Sequence, residues 1–396
     1  MTGTEERADR LRSIRELKMA RSAHAYVRGS TVKFYEWLDT SRGTVPEGPP
    51  VWICGDCHIG NLGPLADNRG RVAVQIRDLD QTVIGNPAHD LIRLGLSLAS
   101  AARGSDLPGV ATAHILEHLA TGYEAALAGD FEGDDEKSLR PDAIKDLLDK
   151  SIRRRWKHLA AERLDTVKPV VPLGKRFWAL TNEERKALGS IVEEEAVRAL
   201  LTKLKSRDSG DKVTLVDAAY WMKGCSSLGR LRFAAMVRIG EGESSTLSLV
   251  DLKEGVRAAA PRAEGVAMPR DNAVRVVAGA KALSPNLGER MIAGRLLGKP
   301  VVLRELMPQD LKFEVDRLSQ EKAAAVAAYL AAVVGKAHGR QMTPKQREKW
   351  QAELAKAKSP KLDAPSWLWL SVVDLLGIHE RAYLEHCRMF ALSQAA

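Results

Sequence analysis

Residues 54–61 read Cys-Gly-Asp-Cys-His-Ile-Gly-Asn, and residues 77–80 read Arg-Asp-Leu-Asp. The first stretch ends a short apolar run behind two prolines, which predicts a buried strand ending near residue 55. The second ends another apolar run, 71–76, which follows the turn residues 67–70 and predicts a second strand. We therefore expect two strand ends to bring Asp56, Asn61, Asp78 and Asp80 to one edge.

These four side chains suit a magnesium site with a base beside it. Mg²⁺ binds through one or two carboxylates, keeps several waters and takes substrate phosphates as further ligands. An aspartate on the same loop can accept a proton from an attacking hydroxyl. Aspartate and asparagine beside glycine also simply close turns, so the linked spacing of the two motifs is what favours chemistry.

A glycine-rich segment lies far downstream, between two further predicted strands. Residues 224–229 read Gly-Cys-Ser-Ser-Leu-Gly, so Gly224 and Gly229 would let backbone N–H groups approach phosphates, with Ser226 and Ser227 as additional donors. Lys253 ends the third strand of this region and is placed to reach the α- and β-phosphates of a nucleotide.

The order of predicted elements indicates an α+β protein. Helical spacing covers 5–40, with a break at Gly29, and most of 87–204, while 208–212 forms a boundary loop. Alternating patterns predict three antiparallel strands between 213 and 255 and two more in 290–306, with a helix at 271–283 between the two groups. A long alanine-rich helix, capped by Ser319, then runs to about residue 338. The predicted segments are helix-rich 1–210, β-rich 211–308 and helical 309–396.

The motif Gly55-Asp56-x-His58-x-x-Asn61, followed by Asp78 and by Ile-Gly-Asn-Pro-Ala-His-Asp-Leu at 84–91, resembles the aminoglycoside phosphotransferase and choline kinase branch of the protein-kinase-like superfamily. The resemblance implies that Asp56 is the catalytic base and that Asn61 and Asp78 hold Mg²⁺. Asp80 is an extra carboxylate that the family pattern does not include, and we expect it to serve as a second-metal ligand. The resemblance also implies that His58 and Asp90 support the loop. Cys54 departs from the pattern, since these kinases usually carry His there.

The order of the parts differs from that of an ordinary kinase. The glycine loop, Lys253, the helix at 271–283, two strands and the long helix follow the catalytic loop instead of preceding it, which resembles a circular permutation of the two-lobe kinase fold. A broad uncharacterised bacterial family is similar in motif and order, including segments like 26–29 and 302–306. The resemblance implies that the backbone from Glu305 to Met307 takes the adenine. The helix at 271–283 contains no glutamate to pair with Lys253, and only Glu264 and Glu289 flank it.

Composition excludes several classes of protein. The 396 residues include 60 Lys+Arg against 51 Asp+Glu, a net charge of +9, and 45% hydrophobic residues, which is typical of a globular chain. Four cysteines in this length exclude a disulfide scaffold and favour a reducing cytoplasm. Neither a signal-peptide segment nor eighteen consecutive apolar residues is present, so we expect no membrane association.

The function that these observations predict is an ATP- and Mg²⁺-dependent phosphotransferase acting on a hydroxyl group of a small molecule. One alternative is a nucleotide-binding pseudokinase with a regulatory role, which the missing helix glutamate and Cys54 favour. A second is a nucleic-acid-binding protein that uses Arg-Arg-Arg-Trp-Lys at 153–157 on a predicted helix, although such a run is usually a solvated face.

Residues 54–58 also match the Cys-x-x-Cys-His pattern of haem attachment and contain a potential redox or zinc pair. Covalent haem attachment requires export, and a zinc site requires a second Cys/His pair near the first. Neither requirement is met by the sequence, so the stretch is better explained by the kinase-like motif.

Overall fold

The computed structural model describes residues 4–41, 43–164, 166–224, 228–311, 313, 320–356, 358–359 and 362–395. The helices are α1 Thr4–Met19, α2 Ala23–Gly29, α3 Thr31–Thr40, α4 Pro87–Gly104, α5 Gly109–Ala128, α6 Gly133–Ser138, α7 Asp142–Ile152, α8 Trp156–Leu164, α9 Asn182–Glu193, α10 Glu195–Leu201, α11 Asn272–Leu283, α12 Pro285–Gly288, α13 Gln320–Gly339, α14 Pro344–Lys356 and α15 Ser366–Ala395. The strands are β1 Val51–Ile53, β2 Leu62–Ala66, β3 Val72–Ile76, β4 Val83–Gly85, β5 Phe177–Trp178, β6 Val213–Trp221, β7 Arg232–Ile239, β8 Thr246–Glu254, β9 Met291–Leu296, β10 Lys299–Leu306, β11 Lys358–Ser359 and β12 Leu362–Pro365. The α+β class expected from the sequence is confirmed.

The main sheet is antiparallel, with the strand order β5-β6-β7-β8-β10-β9. Side chains alternate along each strand, so the sheet has two distinct faces. On one face, Val250 and Leu252 of β8 pack in a core with Leu188 and Ile191 of α9. On the other face, Leu249 packs in a core with residues of β7 and α8. Helices therefore cover both sides of the sheet.

The second face of the sheet changes from apolar to charged along its strands. Lys253 of β8 lies opposite Arg232 of β7 and Val302 of β10, and Asp251 lies opposite Arg304 of β10. Residues two apart on a strand share a face, so all five side chains lie on one side of the sheet. This row is what the sheet contributes to the candidate site.

A larger core joins α4, α5, α13 and α15 to the short strands β1–β4. Helices α5 and α13 pack closely because Gly122 leaves room for the backbone carbonyl of Ala328. A β-carbon at Gly335 would likewise lie only 2.7 Å from the carbonyl of Tyr123. Two glycines, one on each helix, thus set the distance between the helices that support the loops of the site.

The sequence predicts that the strand ends carrying Asp56 and Asp78 share one edge of a sheet. The structure corrects this prediction, because the two strands belong to different ladders. β1 pairs with β4, and β2 pairs with β3, in two separate ladders. The sequence-based prediction contains neither β2 nor β4, because such short strands show too little alternation. The ladders are nevertheless linked, since the N–H of Arg77 donates to the carbonyl of Asn61 at 2.7 Å.

Most of 87–204 is helical, as the sequence predicts, but β5 also lies in this range, so the predicted five strands of the sheet become six. A two-residue edge strand cannot show an alternating pattern, which is why the sequence does not reveal it. The sheet therefore takes one strand from within the predicted segment 1–210. The break at Gly29 is confirmed, because α2 ends there. Ser319, the predicted cap of α13, lies outside the described residues.

Among the residues described, none of the helices combines the length and apolar character needed to cross a membrane.

Candidate functional site

Asp56, His58 and Asn61 lie in the loop between β1 and β2. The loop starts at Gly55, whose φ of +73° is a left-handed conformation that favours glycine. A β-carbon at Gly55 would collide with the backbone carbonyl of Gln81. Asn61 Nδ2 donates to the backbone carbonyl of Asp56 at 2.9 Å, which orients the amide and leaves its oxygen to act as a ligand.

Asp90, in the first turn of α4, holds the beginning of this loop. Its carboxylate accepts the backbone N–H groups of Cys54 at 2.7 Å and of Gly55 at 2.9 Å. The same carboxylate lies 3.2 Å from Nε2 of His338, whose Nδ1 lies 3.0 Å from the hydroxyl of Tyr123. The loop backbone is thereby tied to α4, α5 and α13. The structure places Asp90 where a brace of the loop is expected.

Arg93 of α4 holds the carboxylate of Asp56. Its Nε donates to Oδ1 of Asp56 at 3.0 Å, while its Nη2 donates to the carbonyl of Val27 at 2.6 Å. Burial raises the pKa of Asp56, and the charge of Arg93 offsets only part of that rise. A carboxylate with a raised pKa is a better proton acceptor than a solvated one, which suits the predicted role of base.

His58 lies in the wall of the same cavity, 5% exposed, and its Nδ1 has no hydrogen-bond partner within the described residues. Burial lowers its pKa well below the usual range, and the nearby charges of Arg28 and Arg93 lower it further. The ring is therefore neutral at pH 7. Its position suits a polar contact to a ligand as well as the predicted support of the loop.

Lys253 reaches from the sheet to the loop after β3. Its ammonium nitrogen lies 3.5 Å from Oδ2 of Asp78 and forms a closer ion pair with Asp80. Burial by itself would raise the pKa of Asp78, but Lys253 and Arg232 outweigh it and hold that pKa well below its usual range. The pKa of Asp80 is raised by burial and by the charge of Asp78. Two carboxylates and one ammonium thus leave an excess of negative charge here.

The partner of Lys253 is therefore Asp80, and neither glutamate that flanks α11 takes this role. Glu264 and Glu289 are both exposed. Lys253 is only 13% exposed, so its contacts lie inside the site. The carboxylate that pairs with the lysine belongs to the loop after β3 and not to a helix.

Arg275 occupies the inner face of α11 instead of a glutamate. Its guanidinium donates to the carbonyl of Thr82, to that of Asp80 at 2.9 Å and to that of Val256 at 2.8 Å. The helix thereby fixes the backbone of the loop that carries Asp80. It acts on the lysine indirectly, through that loop.

Arg232 and Asp251 form a buried ion pair beside Lys253 on the sheet. Arg232 Nε and Nη2 donate to the two carboxylate oxygens of Asp251 at 2.9 and 2.5 Å. The ammonium of Lys223 lies 3.7 Å from Asp251 and 4.0 Å from the centre of the Trp221 ring. Sequence reasoning missed these residues, although the two-residue spacing of Asp251 and Lys253 on one strand was an available signal.

The glycine-rich segment is only partly described. Gly224 lies at the cavity, and its carbonyl accepts a hydrogen bond from Lys18 Nζ at 2.8 Å. Gly229 has a φ of +93° and is exposed, outside the described lining of the cavity. Ser226 and Ser227, predicted as phosphate donors, lie outside the described residues.

One cavity of about 500 Å³ lies between the loops that carry Asp56 and Asp78 and the strand that carries Lys253. Among the residues that the structure describes, its wall contains nine cationic side chains, namely those of Lys18, Arg21, Arg28, Arg77, Arg163, Lys223, Arg232, Lys253 and Arg304. Four carboxylates, from Asp56, Asp78, Asp80 and Asp251, share the wall with them. Apolar side chains also line it, among them those of Val276, Leu287, Met291 and Val302. The cavity is strongly electropositive and has one apolar side.

The bacterial family described as "Uncharacterized protein conserved in bacteria (DUF2252)" matches residues 7–389. The chain belongs to this family. The match spans both the loop with Asp56 and the strand with Lys253, so both walls of the cavity lie within the family unit. No curated protein and no solved structure matches the chain.

In this family member, Glu305 and Met307 lie apart from the described lining of the cavity. The carboxylate of Glu305 is buried and accepts from Ser248 at 2.6 Å, and its backbone carbonyl accepts from Arg290 at 2.8 Å. The carbonyl of Met307 accepts the N–H of Asp310 at 3.1 Å. The geometry does not support adenine binding by this backbone, because these groups are bonded within the protein.

Cys54, Cys57 and Asp90 place their donor atoms within 4.8 Å of one another. Asp90 already accepts backbone N–H groups, and burial raises the pKa of the Cys54 thiol well above its usual range. Metal binding and disulfide exchange both require a thiolate. Within this cluster both thiols are buried and pack behind the loop that carries Asp56.

The basic run 153–155 lies between α7 and α8 and not within a helix, which corrects the prediction. Arg154 Nε donates to the carbonyl of Pro308 at 2.6 Å, and Arg155 Nη1 donates to that of Ile152 at 3.0 Å. Two of the three guanidinium groups are thus bonded within the protein, one to a distant segment and one locally. This arrangement weakens the case for a nucleic-acid-binding face.

Proposed function

We propose that this protein is an ATP- and Mg²⁺-dependent phosphotransferase that acts on an alcohol group of a small molecule. The observation that carries the proposal is the meeting of Asp56, Asn61, Asp78 and Lys253 in one cavity, although they come from opposite halves of the chain. These are the residues for which the kinase-like resemblance implies a base, two metal ligands and a phosphate-binding lysine.

The cavity suits a polyphosphate. Several buried guanidinium nitrogens in its wall have no partner within the described residues, namely Nε of Arg28, Arg77, Arg163 and Arg304. Buried donors normally have acceptors, and phosphate oxygens are strong acceptors for arginine. The apolar side formed by Val276, Leu287, Met291 and Val302 offers a surface on which a nucleobase can pack.

The donor set also fits Mg²⁺, because the amide oxygen of Asn61 and the carboxylates of Asp78 and Asp80 are hard oxygen ligands. When bound there, the ion would neutralise charge on the β- and γ-phosphates of the nucleotide. Lys253 and Arg232 would add positive charge from the sheet. Hydrogen bonds within the loop, such as that of Asn61 to Asp56, hold the ligands in place beforehand.

Asp56 would orient the acceptor hydroxyl and take its proton. As that proton leaves, the hydroxyl oxygen bonds to the γ-phosphorus, and the bond from this phosphorus to the bridging oxygen breaks, releasing ADP. Arg93 keeps the carboxylate of Asp56 in place through one oxygen. The protein acts by positioning and charge neutralisation, as phosphoryl transfer requires.

We infer a circularly permuted, two-lobe kinase-like fold, with 211–308 as the nucleotide lobe and 1–210 and 309–396 as parts of the catalytic lobe. The new ends of a permuted chain were once neighbours, so they should lie close together. In support, α1 and α15 are in contact. The hydroxyl of Tyr383 donates to the carbonyl of Ala20 at 3.2 Å, and His386 Nε2 lies 3.0 Å from the carbonyl of Glu16.

The test is thermal unfolding with and without Mg²⁺-ATP. A ligand at a hundred times its Kd stabilises the folded state by about 2.7 kcal/mol, which gives a clear melting shift. We expect this shift in the wild type and in the surface control Asp142→Asn, and its loss in Asp78→Asn. The absence of a shift in the wild type at millimolar Mg²⁺-ATP would overturn the proposal.

A nucleotide-binding pseudokinase remains the second candidate, favoured by Cys54 and by Arg275 in place of a helix glutamate. It predicts the same Mg²⁺-ATP melting shift but no phosphorylated product from any acceptor. Measurement of ADP release over an acceptor panel separates the two. ADP release that depends on both the acceptor and Asp56 would exclude the pseudokinase.

A further inference from the structure

The carboxylates of the cavity already have cationic partners. Asp56 is paired with Arg93, Asp251 with Arg232, and both Asp78 and Asp80 with Lys253. The remaining cations of the wall therefore exceed what the protein's own acids neutralise. A nucleotide on the sheet side would face Lys253 and its neighbours. Arg28 lies on a different wall, contributed by α2.

Arg28 packs directly on the catalytic loop. A β-carbon at Gly60 would lie 3.1 Å from the guanidinium carbon of Arg28 and 3.2 Å from its Nη2, so the guanidinium packs closely on Gly60. Arg28 forms no ion pair or hydrogen bond with the described residues, and its Nε is buried without a partner. A charged donor in this setting is suited to an acceptor from a ligand.

His58 provides a second, independent observation at the same place. Its Nδ1 is buried without a partner, the residue is 5% exposed, and its Cε1 lies 3.2 Å from the β-carbon position of Gly60. The imidazole of His58 and the guanidinium of Arg28 therefore both lie beside Gly60. Together they offer a hydrogen-bonding ring and a planar cation to one small ligand group.

The position of Arg28 is coupled to that of the base. Its neighbour on α2, Val27, accepts a hydrogen bond from Arg93, and Arg93 donates to Asp56. A group bound by Arg28 is thus held at a fixed distance from the carboxylate that would receive the hydroxyl proton. This relation places the Arg28 wall on the acceptor side of the cavity.

We propose that the acceptor carries an anionic group, a phosphate monoester or a carboxylate, which Arg28 and His58 bind while Asp56 takes the proton of its hydroxyl. The inference rests on the proposed phosphotransferase function and names its substrate class. Arginine presents two parallel donors that match phosphate and carboxylate oxygens. A cationic acceptor such as an aminoglycoside or choline would instead meet like charge from Arg28 and Arg21.

Binding can be measured with the nucleotide side filled, by titration calorimetry in the presence of Mg²⁺ and a non-hydrolysable ATP analogue. Glucose 6-phosphate, glycerol 3-phosphate and glycerate are compared with glucose, glycerol and glucosamine. The variants are Arg28→Met, Arg28→Lys and, as the control, Arg12→Met, whose guanidinium is exposed on α1. ADP release with Mg²⁺-ATP is measured on the same pairs.

We expect at least one anionic probe to bind and its neutral or cationic counterpart to bind far more weakly. Arg28→Met should weaken that binding by about ten- to a hundredfold, as expected for loss of a charged hydrogen bond. Arg28→Lys should recover part of it, and Arg12→Met should match the wild type.

Three results would each overturn this inference. The first is equal binding of the anionic probe by the wild type and Arg28→Met, and the second is preferential turnover of neutral or cationic probes. The third is that no probe in the panel shows anion-dependent binding. The Mg²⁺-ATP melting shift of the wild type separates these results from a failure of the proposed function. If that shift is present, the kinase-like site stands and only the acceptor class is wrong. If it is absent, both fail.

Discussion

The ammonium group of Lys253, near the end of strand β8, forms an ion pair with the carboxylate of Asp80, two residues after Asp78. One contact therefore joins the main sheet to the loop that carries the proposed metal ligands. Arg275 of α11 supports this loop by donating to the carbonyl of Asp80 at 2.9 Å. Lysine, loop and helix form one connected unit, so a change in any of them should affect nucleotide binding.

Lys253→Met should lower kcat/KM for ATP by about a hundred- to a thousandfold, the usual effect of losing a group that stabilises charge in the transition state. Asp80→Asn should have a smaller effect, because Asp78 still attracts the ammonium. Steady-state kinetics with varied ATP measures both. Glu264→Gln is the matched control and should behave as the wild type, since Glu264 is exposed. A defect in Glu264→Gln as large as that in Asp80→Asn would contradict the assigned pairing.

The pH profile should report the environment of Asp56. Burial raises the pKa of this carboxyl, and Arg93 opposes the rise. A base must be deprotonated to act, so activity falls as the pH drops through this pKa, and the acidic limb of kcat/KM should lie above the range of an ordinary aspartate. Arg93→Met removes the opposing charge and should move the limb to higher pH.

Arg93 is itself buried, so Arg93→Lys serves as the second variant, and circular dichroism checks that both variants fold. Lysine keeps the positive charge and should shift the limb less than methionine does. An acidic limb at the same pH in all three proteins would show that another group controls it.

Asp310→Asn should destabilise the protein by about 3–5 kcal/mol at pH 7, because it leaves Arg290 and Arg304 buried without their charge partner. Burial would raise the pKa of Asp310, but these arginines lower it to about 2. A lowered pKa stabilises the fold above about pH 4, and this contribution is lost as the pH falls toward 2.

Urea denaturation at pH 7 and at successively lower pH measures the difference between Asp310→Asn and the wild type. The exposed control Asp142→Asn should stay within about 0.5 kcal/mol of the wild type. The destabilisation of Asp310→Asn should shrink as the pH approaches 2. A difference that does not change with pH would mean that packing, and not charge, accounts for the loss.

Gly122→Ala should destabilise the protein by about 1–3 kcal/mol, because the added methyl would collide with the backbone carbonyl of Ala328 where α5 and α13 cross. Gly189→Ala is the matched control within α9, since a β-carbon there meets no atom within 4 Å. It should stabilise the helix by up to about 1 kcal/mol. Thermal and urea denaturation measure both variants, and loss of stability in both would refute the packing argument.

Much of the site could be predicted from the sequence wherever the signal is local. Asp56, Asn61 and Asp78 stand in short motifs at linked spacing, and the structure brings them to one cavity. The adenine-binding prediction at Glu305–Met307 rested on order along the chain alone. It did not anticipate that Arg290 and Asp310 would bond that backbone. Contacts of this kind depend on how distant segments pack against each other. Local sequence patterns do not encode that packing.

Local periodicity and turn chemistry by themselves determined the α+β class, the long helices, the strands β6–β10 and the loop with Asp56, because each depends on neighbours a few residues away. Tertiary structure alone decided that Lys253 pairs with Asp80, that Arg28 lies on Gly60, and that cations from separate helices and strands line one cavity. The physical reason is that ion pairs and cavities form between side chains whose approach is set by strand register and helix packing. Those depend on the whole chain folding around its cores.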